Sequence, residues 1–245
     1  MKPGRALPLT QTTAEADEAR YWARLYGRWQ PMSLPQVRDF LAGFSRPWWV
    51  VGGWSIDAFT GVTREHSDVD ISIFSSDVPA LRSFLAGRWD LWNLHKGDMR
   101  PLTDRHPDIF AADSQLWVRE HGDAPWVVDI PLTPDPHGLW TNKLLPGHTA
   151  PLEDVTEVAG DGLRYLNPEI TLFFKARTRR AKDDDDLRRT YPLLSEPQRN
   201  WLAAAIEAAW GADHPWPNGL LPLLGRARQG SSSRPNRSFI PQIEH

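Results

Sequence analysis

The central segment of this 245-residue chain reads Val50-Val51-Gly52-Gly53-Trp54-Ser55-Ile56-Asp57, and a second segment follows it as Thr63-Arg64-Glu65-His66-Ser67-Asp68-Val69-Asp70-Ile71-Ser72-Ile73. The first segment predicts a short apolar strand that ends at a glycine pair and leads into a short helix. The second predicts a strand in which Val69, Ile71 and Ile73 face the core, because alternate residues of a strand share a face. A strand, a helix and a strand are therefore expected in close succession.

The second strand carries two carboxylates on its other face. Asp68 and Asp70 are expected to have Cα atoms roughly 6.5–7 Å apart. Neighbouring carboxylates repel each other unless a cation lies between them, and oxygen ligands suit Mg²⁺, which completes its shell with water and phosphate oxygens. A third carboxylate, Asp129, lies within the apolar stretch 126–132, where an ionisable group is costly unless it is paired or bound to a metal. These three residues are the predicted catalytic and metal-binding set.

The glycine pair supports a phosphate ligand. Gly52 and Gly53 lie between a strand and a helix, where glycine lets the backbone approach a bulky anion and the N–H groups at the helix start can donate to phosphate. A Gly-Gly pair is also typical of a tight turn, so the interpretation depends on its combination with the three carboxylates.

Signals outward from this centre complete an α+β outline. Capping boxes at Thr12/Glu15, Ser33/Gln36 and Ser195/Gln198 predict helices, the first carrying apolar residues from Tyr21 to Trp29. Further strands are predicted at 89–94, 116–120 and 126–132, a helix at 77–85, and a hairpin at 155–166. Asn167 followed by Pro168 predicts the start of a long helical region. We expect a mixed β-sheet with flanking helices, followed by a C-terminal helical region.

These motifs resemble the nucleotidyltransferase superfamily that includes DNA polymerase beta, and within it the aminoglycoside 2''-adenylyltransferase-like branch. The matching positions are Gly52, Gly53, Trp54, Arg64, His66, Asp68, Asp70 and Asp129. Similar stretches follow at Pro168-Glu169-Ile170, Lys175-Ala176-Arg177 and Lys182-Asp183, so the resemblance spans roughly residues 34–216. We expect a catalytic domain at 33–166 and a helical region at 167–224. Outside the resemblance, the helical signals predict an N-terminal helical extension at 1–32, and the composition after Gly225 predicts a disordered tail at 225–245.

The resemblance implies transfer of a nucleoside monophosphate, usually AMP from ATP, to a hydroxyl group with release of pyrophosphate. Two Mg²⁺ ions can stabilise the attacking and leaving oxygens of such a displacement. Asp68 and Asp70 would hold both ions, while Asp129 would bind one of them or accept the hydroxyl proton. The expected acceptor is a small molecule, an aminoglycoside or another aminosugar first. A protein acceptor, as in toxin–antitoxin nucleotidyltransferases, and an inactive nucleotide-binding protein remain as alternatives.

Several further side chains are candidates for binding. Gly52, Gly53, Trp54, Arg64 and His66 are expected near the nucleotide, although Arg64 and His66 could instead neutralise Asp68 and Asp70. A continuous helix from Pro168 would place Lys175, Arg179, Lys182 and Asp186 on one face, where Lys175 and Arg179 could reach the triphosphate.

Two other groups of residues have alternative interpretations. The run Asp183–Asp186 is a solvated charge run or, through Asp183 and Asp186, an acidic patch for a polycationic acceptor. Most of the tryptophans are assigned to the core, but one or two of Trp89, Trp92, Trp117, Trp126 and Trp140 could stack on adenine or line an apolar side of the acceptor pocket.

Composition excludes other classes. With 28 Lys and Arg against 31 Asp and Glu, a polyanion is disfavoured as the main partner, so nucleic acid binding is limited to a short strand on a local basic patch. The absence of cysteine excludes disulfides, thiolate nucleophiles and iron–sulfur clusters. No stretch resembles a signal peptide or a membrane span, which predicts a cytoplasmic protein without a membrane partner. The sequence contains no phosphate-loop, dinucleotide-binding or Gly-x-Ser-x-Gly motif.

Overall fold

The computed structural model describes residues 20–216 except Trp22 and Ser67. Two compact units divide the chain. The first contains the described parts of Met1–Trp54 and Arg64–His137, and the second contains Ser55–Thr63 and the described part of Gly138–His245. The second unit therefore includes the segment 138–166, which was predicted to belong to the same domain as the preceding strands. The capping box at Thr12/Glu15 and the tail 225–245 lie outside the described residues.

Six strands form the sheet of the first unit. They are β1 (Trp48–Val51), β2 (Asp70–Ile73), β3 (Asp90–His95), β4 (Asp98–Pro101), β5 (Gln115–Arg119) and β6 (Val128–Pro131). Their order across the sheet is β4-β3-β5-β6-β2-β1. The β2–β6 pair is parallel, and the other neighbours in this series are antiparallel. The predicted strands are confirmed, while the short β4, which carries no alternating pattern, was not predicted.

The two faces of this sheet differ in chemistry because side chains alternate along each strand. One face is apolar and buried, with Val50, Ile71, Leu116 and Ile130 at 0% exposure. This confirms the expected inward set of the Asp-x-Asp strand, in which Val69 and Ile73 are also buried. The other face carries Asp70 and Asp129, and it is described with the candidate site.

Helices α1 (Leu34–Phe40) and α3 (Val78–Leu85) belong to the first unit, whereas α2 (Gly53–Thr60) begins in the first unit and continues into the second. Helix α1 begins after Ser33, whose backbone N–H and side chain both bond Gln36, as the capping-box motif predicts. Residues 20–21 and 23–26 are also helical. The predicted helix does not reach Trp29, which instead forms a parallel bridge with Trp126. Tertiary pairing therefore ends that helix earlier than its apolar spacing suggested.

The second unit consists of two small hairpins and several helices. Strands β7 (Trp140–Thr141) and β8 (Thr149–Ala150) pair, as do β9 (Thr156–Val158) and β10 (Arg164–Leu166), which confirms the hairpin predicted at 155–166. Helices α4 (Leu152–Val155), α5 (Pro168–Ala176), α6 (Ala181–Thr190) and α7 (Glu196–Trp210) complete it. Helix α7 begins at the predicted Ser195/Gln198 capping box. No helix among the described residues is both long enough and apolar enough to cross a membrane.

The helix predicted to run on from Pro168 is interrupted, which is a correction. Helix α5 ends at Ala176 and α6 starts at Ala181, with Arg179 between them at a φ of 44°. A left-handed residue cannot continue a right-handed helix. The Asp183 carboxylate then accepts the backbone N–H of Arg180 at 3.0 Å, which starts the next helix. Lys175 and Arg179 therefore do not share one helical face with Lys182.

Glu169, in the first turn of α5, provides a test of how this unit responds to pH. It is 8% exposed and accepts a hydrogen bond from Gln198 Nε2 at 2.8 Å. Burial raises the pKa of Glu169 to about 7, although that hydrogen bond acts in the opposite direction. In the unfolded chain the pKa of Glu169 is about 4.3, below its folded-state value. The folded protein therefore loses stability as the pH rises from about 4.3 to about 7.

We expect Glu169→Gln to weaken this pH dependence. Between about pH 5 and pH 8, Glu169 should lower the free energy of unfolding by roughly 2–3 kcal/mol, and the amide should remove most of that loss. Urea unfolding at both pH values measures the difference. The exposed Glu196→Gln is the matched control. An identical pH dependence in Glu169→Gln and the unaltered protein would contradict the prediction.

Candidate active site

The carboxylates lie in a row that crosses the sheet of the first unit. Asp70 on β2 is the register partner of Asp129 on the parallel neighbour β6, and Asp129 is the register partner of Trp117 on β5. Trp117 is in turn paired with Trp92 on β3. Register partners point to the same face, and neighbouring strands lie about 4.8 Å apart. The predicted Asp70 and Asp129 therefore form adjacent carboxylates, although 58 residues separate them in the chain.

Asp129 is the most buried of the three carboxylates, at 2% exposure. Its Oδ2 atom accepts a 3.5 Å hydrogen bond from the Gln115 side-chain amide, which lies two residues before Trp117 on β5. Gln115 is not among the residues predicted for the site. A lone glutamine in a strand gives no signal in the sequence, because only the β5–β6 register brings it beside the carboxylate.

Gly52 is required by the path of the chain as it leaves β1. Its φ of 75° is in the left-handed region, and a Cβ there would lie 3.3 Å from Oδ2 of Asp70. Gly52 therefore lets the backbone pass closely over the Asp70 carboxylate. Asp68 lies just before β2, where its backbone carbonyl accepts a 2.9 Å hydrogen bond from the Trp54 indole.

Gly53 starts helix α2 under the side chains of Arg64 and His66. A Cβ on Gly53 would lie 2.8 Å from Cε1 of His66, so only glycine fits at this position without a shift of the ring. The His66 ring stacks on Trp54 with centroids 4.4 Å apart, and Arg64 donates to the Gly53 carbonyl at 3.2 Å. The predicted nucleotide-binding residues of the first unit are therefore brought together around the glycine turn. Trp54 joins the turn to the loop before β2.

The donor chemistry of the Asp70–Asp129 pair fits Mg²⁺. This ion is bound in proteins by one or two carboxylates and keeps several water or phosphate oxygens. The described ranges contain no group of three or more His, Cys, Asp or Glu side chains that could hold a metal ion. Asp68 therefore does not form a three-ligand metal site with Asp70 and Asp129 in this structure. The pair, rather than a preformed triad, is the arrangement that could receive the metal together with substrate oxygens.

An aromatic cluster lies beside the carboxylates in the first unit. Trp29, Trp117 and Trp126 are at most 5% exposed, and the half-buried Trp92, Leu94 and Met99 pack against them. The rings of Trp29 and Trp117 meet edge to face with centroids 5.0 Å apart. Arg119 lies 4.4 Å from the ring centroid of Trp126 and 4.6 Å from that of Trp92. The core assignment predicted for most tryptophans therefore holds for Trp117 and Trp126.

In the second unit, Lys175 lies in a compact ionic cluster. Its Nζ is 3.3 Å from Oδ1 of Asp183 and 2.9 Å from Oδ2 of Asp186, and the Lys175 side chain is only 10% exposed. Arg180 also bonds Asp183, through Nε at 2.9 Å and a terminal nitrogen at 3.1 Å. Burial alone would raise the pKa of Asp183, but the hydrogen bonds from Arg180 and the charge of Lys175 hold it below its usual value.

This cluster corrects the interpretation of residues 183–186 as a solvated run. Asp183 and Asp186 are 0% and 1% exposed, so they present no acidic surface to a polycation. The more exposed Asp184 accepts a hydrogen bond from the Trp216 indole at 2.7 Å, and Asp185 pairs with Arg188. Arg179 is 3.9 Å from Asp184. Asp183 and Asp186 are three residues apart and share the buried face of the helix. Nothing in the sequence indicated this, because all four residues of the run are aspartate.

Comparison with known proteins gives a family match over part of the chain. Residues 33–114 match the model of the family described as Aminoglycoside-2''-adenylyltransferase. This segment includes the glycine turn, Asp68 and Asp70, whereas Asp129 and the helical region lie outside it. No curated protein sequence matches the chain.

Similar solved structures were also found. The antibiotic-resistance factor ANT(2'')-Ia in solution is 17% identical, with 76% of this chain and 95% of that one covered and a TM-score of 0.46. The lincosamide antibiotic adenylyltransferase LnuA with bound lincomycin is 17% identical over 67% of this chain and all of that one, with a TM-score of 0.45. ANT(2'')-Ia in complex with adenylyl-2''-tobramycin is also 17% identical, over 71% and 95%, with a TM-score of 0.44.

The family match covers the part of the motifs that runs from Gly52 to Asp70. The match begins with helix α1 and extends to the start of β5, so it covers the strand–turn–helix–strand arrangement from which the resemblance was drawn. Over these residues the match agrees with the resemblance to the aminoglycoside 2''-adenylyltransferase-like branch.

Proposed function

We propose that this chain transfers AMP from ATP to a hydroxyl group of a small molecule in a Mg²⁺-dependent reaction. The observation that carries the proposal is the register pairing of Asp70 and Asp129 on parallel strands, beside the Gly52-Gly53 turn. Two adjacent carboxylates supply the oxygen ligands that Mg²⁺ prefers, so their placement favours a metal-dependent reaction.

The reaction is a displacement at the α-phosphorus of ATP. The acceptor oxygen forms a bond to this phosphorus while the bond to the bridging oxygen breaks, and pyrophosphate leaves with the electron pair. The hydroxyl proton must be removed as the oxygen attacks. Asp129 is the proposed acceptor of that proton, because it is the innermost carboxylate and Gln115 holds one of its oxygens.

Asp68, Asp70 and Asp129 are the proposed Mg²⁺ ligands. When bound, Mg²⁺ would neutralise charge on the phosphate oxygens and position the attacking and leaving groups. The chain itself keeps Asp70 close under the Gly52 backbone and keeps Asp129 at the same level of the neighbouring strand. These contacts would fix both carboxylates before the nucleotide binds.

The glycine turn is the proposed phosphate-binding element. The first N–H groups of α2, from Gly53 onward, have no acceptor within the helix and can donate to phosphate oxygens. Arg64 and His66 lie over Gly53 and supply basic side chains there, while Trp54 holds this loop through Asp68. Lys175, which forms ion pairs with Asp183 and Asp186, and Arg179 remain proposed contacts to the triphosphate.

The acceptor is proposed to be a small molecule of the kinds handled by the matched family and by the similar solved proteins, an aminoglycoside or a lincosamide. The apolar and carboxylate side chains on the sheet face favour a compact molecule that carries a hydroxyl group.

Acceptor-dependent pyrophosphate release tests the proposal. Each of the four nucleoside triphosphates is incubated with Mg²⁺ and with tobramycin or lincomycin, and mass spectrometry identifies the modified product. Release should require Mg²⁺ and one acceptor, and it should vanish in Asp70→Asn. Asp39→Asn, at a solvent-exposed position, is the matched control.

The outcome also separates the alternatives. If Mg²⁺-ATP binds but no small acceptor supports release, the small-molecule proposal fails. A protein acceptor is then indicated if the chain incorporates labelled AMP into protein, and an inactive nucleotide-binding protein is indicated if it does not.

A further inference from the structure

We propose that His214 and Trp216 are positioning residues for Lys175 and Arg179, the two basic side chains assigned to the triphosphate. Both lie in residues 211–216, here called the 211–216 strap, which follows helix α7. The inference rests on the proposed function, because the triphosphate contacts belong to it. It adds two residues that act through helices α5 and α6.

The strap turns back from the end of α7 and is anchored by two aromatic side chains. The Gly211 N–H donates to the Glu207 carbonyl at 2.8 Å, and the His214 N–H donates to the Gly211 carbonyl at 3.2 Å. Of residues 211–216, Trp216 is buried at 3% exposure and His214 is half-buried, whereas the other four are exposed. The strap is therefore held on the second unit by these two side chains.

The imidazole of His214 has a hydrogen-bond partner at each ring nitrogen. Nε2 lies 3.1 Å from the backbone carbonyl oxygen of Ala176, the last residue of α5, and the backbone nitrogen of Trp216 donates to Nδ1 at 3.3 Å. A carbonyl can only accept and a backbone N–H can only donate, so the two partners assign the proton to Nε2 and leave Nδ1 as the acceptor. With both nitrogens engaged, the ring has one orientation and ties the strap to the end of α5.

The indole of Trp216 ties the strap to the start of α6. Its Nε1 donates to Oδ1 of Asp184 at 2.7 Å, and the same oxygen lies 3.9 Å from Nε of Arg179. Hydrogen bonds to an ionised carboxylate are among the stronger ones in proteins. Trp216 therefore fixes the carboxylate that faces the Arg179 guanidinium.

The two anchor points lie on either side of the break between α5 and α6. Ala176 directly follows Lys175, and Asp184 directly follows Asp183, a partner of Lys175 in the ionic cluster. Arg179, between the two helices, has the left-handed φ of 44°, and a non-glycine residue keeps such a conformation only where its surroundings enforce it. By holding both helices at this break, the strap fixes the places of Lys175 and Arg179 relative to each other.

Calorimetric binding of ATP and of AMP, each with Mg²⁺, to the full chain tests this role. Trp216→Phe keeps an aromatic ring but removes the donor to Asp184, and it is expected to weaken ATP binding by about five- to tenfold. AMP lacks the β- and γ-phosphates, so its affinity should stay within about twofold. A general loss of stability would not separate the two nucleotides. Trp48→Phe, at a half-buried position of the first unit, is the matched control and should bind both nucleotides like the unaltered chain.

His214 provides a second pair of variants, which also decides the question if Trp216→Phe does not fold, as judged by thermal unfolding. His214→Ala removes both ring hydrogen bonds and should weaken ATP binding about as much as Trp216→Phe. His214→Gln keeps an amide nitrogen that can donate to the Ala176 carbonyl, and it should recover at least about twofold of the lost affinity.

Nuclear magnetic resonance of the imidazole nitrogens checks the assigned proton independently of any nucleotide. In a full chain labelled with ¹⁵N in histidine, the His214 signals are identified by their absence in His214→Gln. They should show a protonated Nε2 and an unprotonated Nδ1 at neutral pH. A proton on Nδ1, or on both nitrogens, would overturn the arrangement that ties the strap to α5.

The nucleotide measurements separate this inference from the proposed function. Equal ATP affinity in Trp216→Phe and the unaltered chain, or equal losses for ATP and AMP, would overturn the inference. Equal ATP affinity in His214→Ala and His214→Gln would remove His214 from it. Weakened ATP binding in the variants without acceptor-dependent pyrophosphate release by the unaltered chain would contradict only the proposed function. No binding of ATP to the unaltered chain would contradict both.

Discussion

Asp129→Asn is expected to lower kcat by about 100- to 1000-fold, because it removes both a proposed metal ligand and the proposed proton acceptor. General-base catalysis alone contributes about 10²–10⁴-fold, and even outer partners of a metal site contribute about 10–100-fold. The asparagine has nearly the shape of aspartate and can still accept the Gln115 hydrogen bond. Steady-state pyrophosphate release under saturating ATP and acceptor measures the loss.

The same substitution should make the protein more stable. Asp129 is 2% exposed and lies directly beside Asp70, and like charges opposite each other on neighbouring strands are destabilising. We expect the thermal midpoint of Asp129→Asn without Mg²⁺ to rise by a few degrees, since about 1 kcal/mol corresponds to about 2–4 °C in a protein of this size. Asp90→Asn, on the same face but solvent-exposed, is the matched control for both measurements. Retention of full activity by Asp129→Asn would remove Asp129 from the mechanism.

Lys175→Met is expected to lower the free energy of unfolding by about 3–5 kcal/mol, which is the usual cost of removing one member of a buried ion pair. The substitution leaves the carboxylates of Asp183 and Asp186 buried without the ammonium that lies within 3.3 Å of both. Urea unfolding at neutral pH measures the change. Lys182→Met, an exposed lysine of helix α6, is the matched control and should change stability by no more than about 0.5 kcal/mol.

A second variant separates a structural role of Lys175 from contact with the triphosphate. If Lys175 stabilises the cluster, Lys175→Met combined with Asp186→Asn should lose less stability than the sum of the two single changes. If Lys175 serves only ATP, Lys175→Met should fold with normal stability and raise the KM for ATP. Normal stability together with an unchanged KM would contradict both roles.

The ionic cluster should also contribute to acid sensitivity. Because the folded-state pKa of Asp183 lies below its unfolded value, the stability it contributes is fully present above about pH 4 and is lost as the pH falls further. Lys175→Met should flatten this acid limb of the stability profile. Asp183 therefore makes the protein less stable as the pH falls, whereas Glu169, with its raised pKa, makes it less stable as the pH rises.

The local elements around the glycine pair could be predicted because their signals are short-range. The apolar run 48–51 ends at Gly52, and the alternation from Val69 to Ile73 assigns each side chain to a face without further information. Capping boxes at Ser33 and Ser195 mark helix starts because both partners lie within one turn. The match of residues 33–114 to a known family agrees with these local patterns.

Other features depended on contacts between distant residues. The length of the helix after Pro168 was overestimated because its break depends on the left-handed Arg179 and on the capping of Arg180 by Asp183. Burial of Asp183 and Asp186 could not be read from four identical aspartates, since it depends on where Lys175 lies in the folded unit. Gln115 belongs to no sequence motif, and only the pairing of β5 with β6 brings its side chain beside Asp129.

The sequence by itself therefore determined the local strands, turns and helix starts and the residue types from which a metal- and phosphate-binding site can be built. Only the tertiary structure decided which carboxylates stand side by side, which charges are neutralised internally and which apolar side chains face the same surface as Asp129. The physical reason is that periodicity and capping act over a few residues. Strand register and ion pairing join residues far apart in the chain, and their free energy exists only once the units have folded.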